Sequence, residues 1–258
     1  METFNINNTP NAVITTLDAK HPRVSEKYQL VPTKMIADKF FSLGFKVDEY
    51  KQVRVRDGSR QGYQKHFVRL SHPTLLNTKH NDVKLQLLVT NSHDGSSSFS
   101  IKLGIFRLVC SNGLVVGTTF ESVTLRHTGR ILEEIDGAVE RMVAQVKKLD
   151  EALDAMKDRR LTAEEVSKFY NDAVKIRYGQ NTGVEDVRIT SRRVADDGED
   201  LFTVYNRVQE ALIRGSEARG SNGRFRQRRA ITNINKDVAI NEKLFNLAYS
   251  YVEQPVAT

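Results

Sequence analysis

The stretch from Val83 to Gly117, VKLQLLVTNSHDGSSSFSIKLGIFRLVCSNGLVVG, constrains this chain more than any other. Leu85, Leu87 and Val89 alternate with Lys84, Gln86 and Thr90. A period of two puts one row against a core and the other toward water, which is a strand. Residues 91–98 (NSHDGSSS) read as a turn, because Asp-Gly and serines accept turn dihedrals. The return strand alternates through Phe99, Ile101, Leu103 and Ile105. Beyond Gly104 the parity blurs, with Phe106, Leu108 and Cys110 on the opposite row from Ile105 and Val109. A bulge near Gly104 or burial of both faces accounts for that. Asn112-Gly113 marks a second turn, and residues 114–116 and 120–125 continue a meander.

The flanking segments extend the same plan. Residues 1–23 are rich in Asn and Thr and read as a flexible arm. Pro32-Thr33 opens a helix to about Leu43, with Ile36, Phe40 and Leu43 at helical spacing and Gly44 as its stop. Residues 45–56 and 63–71 read as strands joined by the polar turn RDGSRQG. From Ile131 the period changes. Ile131, Ile135, Val139, Met142, Val146, Leu149, Leu153 and Met156 form a heptad-like seam. It predicts one long helix, either packed across the sheet or paired with a second copy, so the sequence leaves a homo-oligomer through 131–156 open. Thr162 with Glu165 is a capping box that starts another helix, residues 180–200 read as a polar link, and residues 201–214 are helical. A last helix carries Ile240, Leu244, Leu247, Ala248 and Tyr251, with Asp237 as a candidate cap. Strands first and helices after is an α+β pattern, an antiparallel meander sheet in the N-terminal half covered by C-terminal helices. The expected division is an arm (1–23) and one domain (24–258), with the sheet in 24–127, the helices in 130–258 and a mobile basic loop at 215–229.

Charge narrows the function classes. The chain carries 39 Lys and Arg against 32 Asp and Glu, a net +7. Such an excess favours polyanionic partners. No apolar run approaches the roughly 18 residues that span a membrane, and the start METFNINNTPNAVITT has neither a basic region nor an apolar signal core. A single cysteine excludes an internal disulfide framework. The expectation is a cytoplasmic protein without a membrane partner.

Two basic groups stand out as nucleic-acid ligands. Arg54, Arg56 and Arg60, with Lys65 and Arg69 on the next strand, are placed to line one side of the sheet, and alternation would set Arg54 and Arg56 on one side. The loop GSEARGSNGRFRQRRAIT adds Arg219, Arg224, Arg226, Arg228 and Arg229 against Glu217 alone, with Phe225 as a stacking ring. Flexible arginines grip phosphates without reading sequence.

Catalytic constellations are thinner. Cys110 with His93 and Asp94 has the residue types of a nucleophilic site, but His93 lies in the turn at one end of the hairpin and Cys110 near the other. The histidines show no HxH or HxxxH pair, one cysteine cannot build a zinc ribbon, and no phosphate-binding glycine loop appears. Asp82-Val83-Lys84 and Glu49-Tyr50-Lys51 have the acid-x-Lys form of some Mg²⁺ nucleases, which keeps a nuclease as a third alternative. No cofactor is expected. Asn206, Glu210, Asp237 and Asn241 read as capping and helix-to-helix hydrogen-bonding residues.

Several segments carry a resemblance in order along nearly the whole chain: YQLVPT (28–33), SLGF (42–45), LVTNSHDGSSSF (88–99), FRLVCSNGL (106–114), YNRVQEALIRG (205–215) and RRAITNINKDVAINEKLFNLA (228–248). On these the chain resembles the phage/plasmid-like protein family, domain of unknown function 932. The resemblance implies a protein carried by phages, plasmids or other mobile elements, in the company of single-strand-binding and recombination functions. With the charge, it makes the leading expectation a non-enzymatic nucleic-acid-binding protein acting in DNA replication, recombination or single-strand handling, its partner DNA in duplex or single-stranded form. The alternative is an interaction module, such as a counter-defence factor that binds a host protein.

Overall fold

The computed structural model describes residues 10–14, 20–107, 113–115, 122–127, 130–179, 184–191 and 197–253. Cys110 and the expected parity change around it lie outside these. Contacts along the chain gather into two compact units, Met1–Val109 with Phe120–Val146, and Cys110–Thr119 with Lys147–Thr258. The strands of the N-terminal half and the helices of the C-terminal half make an α+β fold.

The first unit contains α1 (Asn11–Ile14), α2 (Thr33–Ser42), β1 (Lys46–Gln52), β2 (His66–Ser71), β3 (Val83–Asn91) and β4 (Phe99–Arg107). A short β5 (Gly113–Val115) falls to the second unit, and β6 (Ser122–Leu125) and α3 (Ile131–Ala144) return to the first. β1, β2, β3, β4 and β6 pair antiparallel in that order. The inward row is the one read from alternation: Val68 and Leu70, Leu85, Leu87 and Val89, Phe99, Ile101, Leu103 and Ile105, Val123 and Leu125 are all buried. Helix α3 lies against β4 and β6 and buries Ile131, Ile135, Ala138, Val139 and Met142. Helix α2 meets the same face, since Thr33 bonds to His66 of β2 and Asn91 of β3. Lys39 and Asp136, 2.8 Å apart, tie the two helices together.

Three expectations need correction here. Of the two alternatives at Gly104 the bulge is excluded, because the β3–β4 register runs unbroken through it opposite Gln86, whereas both rows of β3 are buried from Leu85 to Asn91. The irregularity sits in β1 instead, between Val47 and Glu49. There the extra residue, Asp48, reaches over β2 to Lys84, 2.8 Å away, and to Gln86. The predicted strand to Arg56 stops at Gln52, because the chain turns at Asp57, whose carboxylate accepts from the Ser59 N–H at 3.0 Å. The long seam helix is broken at Gln145, where the backbone N–H turns back to Met142 and Val143. Ile131, Ile135 and Met142, and after the break Leu149, Leu153 and Met156, are buried within the single chain.

The second unit contains α4 (Val146–Asp158), α5 (Ala163–Tyr178), β7 (Val184–Val187), α6 (Leu201–Arg214), β8 (Glu217–Gly220), β9 (Phe225–Gln227) and α7 (Ile234–Val252). The Thr162–Glu165 capping box is formed. Phe169 packs edge-on to Tyr251, and Tyr205 to Phe245, which closes α5, α6 and α7 around one core. Gln209 donates to Asn241 at 2.8 Å between α6 and α7, and Asn206 back-bonds to Phe202. Asn233, rather than Asp237, caps α7, and Asp237 accepts from Asn241. The expected mobile loop is a hairpin: β8 and β9 pair with each other, and β8 also pairs with β7. The glycines and serines that suggested a loop belong to its ends and turn.

Candidate functional site

The inward row of the sheet carries polar residues at one end. His66, Asn91 and His127 continue the buried parity of β2, β3 and β6, and all three are buried. His66 lies opposite Asn91. Thr33, the first residue of α2, sits over this pair. Its hydroxyl is 2.6 Å from His66 Nε2, 3.3 Å from His93 Nε2 and 2.9 Å from the Asn91 amide nitrogen.

The partners fix the protons. His66 Nδ1 faces the Gln64 carbonyl at 2.9 Å, so it carries the hydrogen, and Nε2 accepts from Thr33. His93 Nε2 faces the Ala12 carbonyl at 3.1 Å and donates to it. His127 Nε2 donates to Asn91 Oδ1 at 2.8 Å. Tyr28 stacks on His127 at 4.6 Å and donates its hydroxyl to the Ser92 carbonyl at 3.0 Å.

All three imidazoles are neutral at pH 7. Burial drives His66 down to about 4 against a hydrogen bond to Gln64, burial and then His66 drive His93 to about 3, and burial drives His127 to about 4. The N-terminal end of α2 points at the cluster and further disfavours positive charge. Beside it, Asp94 is buried and 2.6 Å from Arg60. Burial pushes its pKa up, but bonds from Ser96 and Arg60 outweigh that and hold the carboxyl below its usual range.

Thr33 and His66 have the contact of a hydroxyl activated by a base. Thr33 is 1% exposed and His66 fully buried, however, so no substrate reaches them. Among the described residues no group of His, Cys, Asp and Glu could hold a metal ion. The cluster is a lock: it fixes α1, α2, the β2–β3 pair and the end of β6 to one another. Two of the segments that carry the family resemblance, YQLVPT and LVTNSHDGSSSF, meet in it.

The outward face of the same sheet has the opposite character. Gln86, Leu88 and Thr90, its residues on the central strand β3, are buried. The face carries Lys51 of β1, Lys65 and Arg69 around β2, Lys84 of β3 and Lys102 of β4, against Asp48 and Glu49. Both acids are held in ion pairs, Asp48 with Lys84 and Glu49 with Arg69 at 2.7 Å. The acid of the Glu49-Tyr50-Lys51 pattern is thus engaged by Arg69. Leu88, 3% exposed, lies between Arg69 and Lys102, and Phe67 is half-buried between Lys51 and Thr90. Burial, and then the charge of Lys102, lower the pKa of Lys65. A charge under that pressure is stabilised by an anion beside it.

The basic residues expected from sequence thus separate. Lys65 and Arg69 share the outward face. Arg54 and Arg56 lie beyond the end of β1 and are exposed, so strand alternation does not govern them. Arg60 is committed to Asp94. Arg219, Arg224, Phe225, Arg226, Arg228 and Arg229 belong to the second unit. There Arg219 lies 4.0 Å from Asp186 of β7, and Glu217 is 2.6 Å from Arg188. The Arg188 guanidinium covers the Phe225 ring, 4.1 Å from its centroid, so one face of the expected stacking ring is already taken. Arg224, Arg226 and Arg229 are exposed, and Arg228 is half-buried. Sequence reasoning missed Lys51, Lys84 and Lys102, although their outward parity was legible. It also missed the histidine cluster, whose members lie dozens of residues apart.

Known proteins place the chain as follows. It is 33% identical over 239 residues to the UPF0380 protein YafZ of Escherichia coli (strain K12), covering 91% of this chain and 86% of that one. The UPF0380 protein YfjQ of the same organism matches with the same identity and coverage. No solved structure matches. The family model described as Domain of unknown function (DUF932) matches residues 20–240, most of the chain, and the chain belongs to that family.

Proposed function

We propose that the first unit binds nucleic acid through the outward face of its sheet. The observation that carries this is five cations against two acids, Asp48 and Glu49, on one face of the sheet. Phosphate backbones are drawn to such a surface without base readout, and the exposed Arg54 and Arg56 follow β1 in the chain. In the setting that the family resemblance suggests, a phage or plasmid, this surface serves DNA replication or recombination. The exposed Arg224, Arg226 and Arg229 of the β8–β9 hairpin offer a second phosphate contact in the other unit.

The test is fluorescence anisotropy with a labelled oligonucleotide. The triple variant Lys51→Gln, Lys65→Gln, Lys102→Gln keeps the side-chain stems and removes three charges. Three contacts of roughly 0.5–1 kcal/mol each predict at least a tenfold weaker Kd with an unchanged thermal melt. An unchanged Kd would remove the outward face from the reading.

A further inference from the structure

The outward face has a centre, and its geometry discriminates between forms of nucleic acid. Phe67 sits on β2 with Lys65 and Arg69 two residues to either side on the same face, roughly 6.6 Å along the strand. Its neighbour across the β1 ladder is Lys51, and Thr90 faces it from β3. Lys102 is two strands away in the row of Arg69 and Leu88. A half-buried aromatic ring is thus bordered by cations on several sides, with Leu88 and Thr90 buried beside it. Ring and cations together suit a base on the aromatic with its backbone running past the charges.

A duplex cannot use this arrangement. Five strands spaced about 4.8 Å apart make a face roughly 19 Å across, too broad for a major groove about 12 Å wide. Phe67 is half-buried in the sheet, so it does not reach bases that are paired and stacked inside a helix. A duplex could touch only the outer ends of the lysines.

Resting on the nucleic-acid reading above, we propose that this face takes a single strand in preference to duplex, with a base stacked on Phe67 and the flanking phosphates on Lys51, Lys65, Arg69 and Lys102. The preference comes from the ring, whereas the charges act on both forms. Ring and charge variants therefore part company.

The experiment compares binding of the full chain to oligothymidylate and to a duplex of equal length, by anisotropy at fixed salt. Wild type, Phe67→Ala, the milder Phe67→Leu and the triple glutamine variant are measured, each after a thermal melt. The expected results are tighter binding of the single strand by wild type and a loss of roughly fivefold or more in single-strand affinity for both Phe67 variants. Duplex affinity should stay the same in those variants and fall in the triple variant. If both Phe67 variants bind as wild type while the triple variant weakens, the stacking site is overturned and backbone binding stands. If the triple variant also binds as wild type, the nucleic-acid reading falls with it. Equal affinity of wild type for both forms overturns the strand preference.

Discussion

Lowering the pH from 7 toward 4 should destabilise the first unit by several kcal/mol. His66, His93 and His127 have folded-state pKa values of about 4, 3 and 4, whereas an unfolded histidine titrates near 6.5. Between those limits the unfolded chain binds more protons than the folded one, so stability falls as pH falls. The loss begins below about 6.5 and is complete only below about 3. Each histidine is worth on the order of 3 kcal/mol across that window. Asp94, with its lowered pKa, acts in the same sense at lower pH: its contribution is present above the usual carboxylate range and is lost further into acid. Urea titrations at pH 7, 5.5 and 4.5 would show the decline, and NMR of the imidazole protons would show all three rings still neutral at pH 5. Rings that titrate near 6.5 would contradict the buried network.

Replacing Gly215 by alanine should cost the second unit more than 3 kcal/mol, among the larger effects a single methyl group can have. Gly215 ends α6 with a positive φ of 89°, and a Cβ there would lie 2.2 Å from the Arg228 carbonyl oxygen and 3.0 Å from the Arg229 carbonyl carbon. Both obstacles are backbone. They cannot swing aside, because Arg228 N–H bonds to the Ser216 carbonyl at 2.9 Å and Ile231 N–H to the Ile213 carbonyl at 2.8 Å. The backbone conformation and the clash therefore add. Gly223, in the β8–β9 turn with a φ of 74°, meets nothing within 4 Å and isolates the conformational part. Gly223→Ala should cost only about 1 kcal/mol. Chemical denaturation of the two variants side by side would expose the difference, and equal losses would refute the close approach at Gly215.

Much of the fold was legible because alternation alone decides which row of a strand is buried. The inward rows of β3 and β4 and the start of α2 follow from side-chain periods. His66, Asn91 and His127 lie on those inward rows, so their burial was also legible. Their association was not, since only the finished strand order sets His66 beside Asn91 and Thr33 above both. The break at Gln145 leaves no mark in a seam that continues past it. Strand β7 is four residues, VEDV, with two acids and no apolar period. Missing it hid Asp186, the partner of Arg219, and made the arginine hairpin look more charged and more mobile than it is. Lys84 and Lys102 occupy the outward rows that alternation gave, but they are dispersed along the sequence, whereas the arginines of 219–229 are clustered in it.

The central claim is that dispersed cations on the outward sheet face hold a nucleic-acid backbone. The most direct measurement is the salt dependence of oligonucleotide binding for wild type and the Lys51→Gln, Lys65→Gln, Lys102→Gln variant. For a single strand each phosphate contact contributes about −0.7 to the slope of log K against log salt. The account predicts a steep wild-type slope and a variant slope shallower by about 2. Binding that ignores salt, or a slope that the three substitutions leave unchanged, would contradict it.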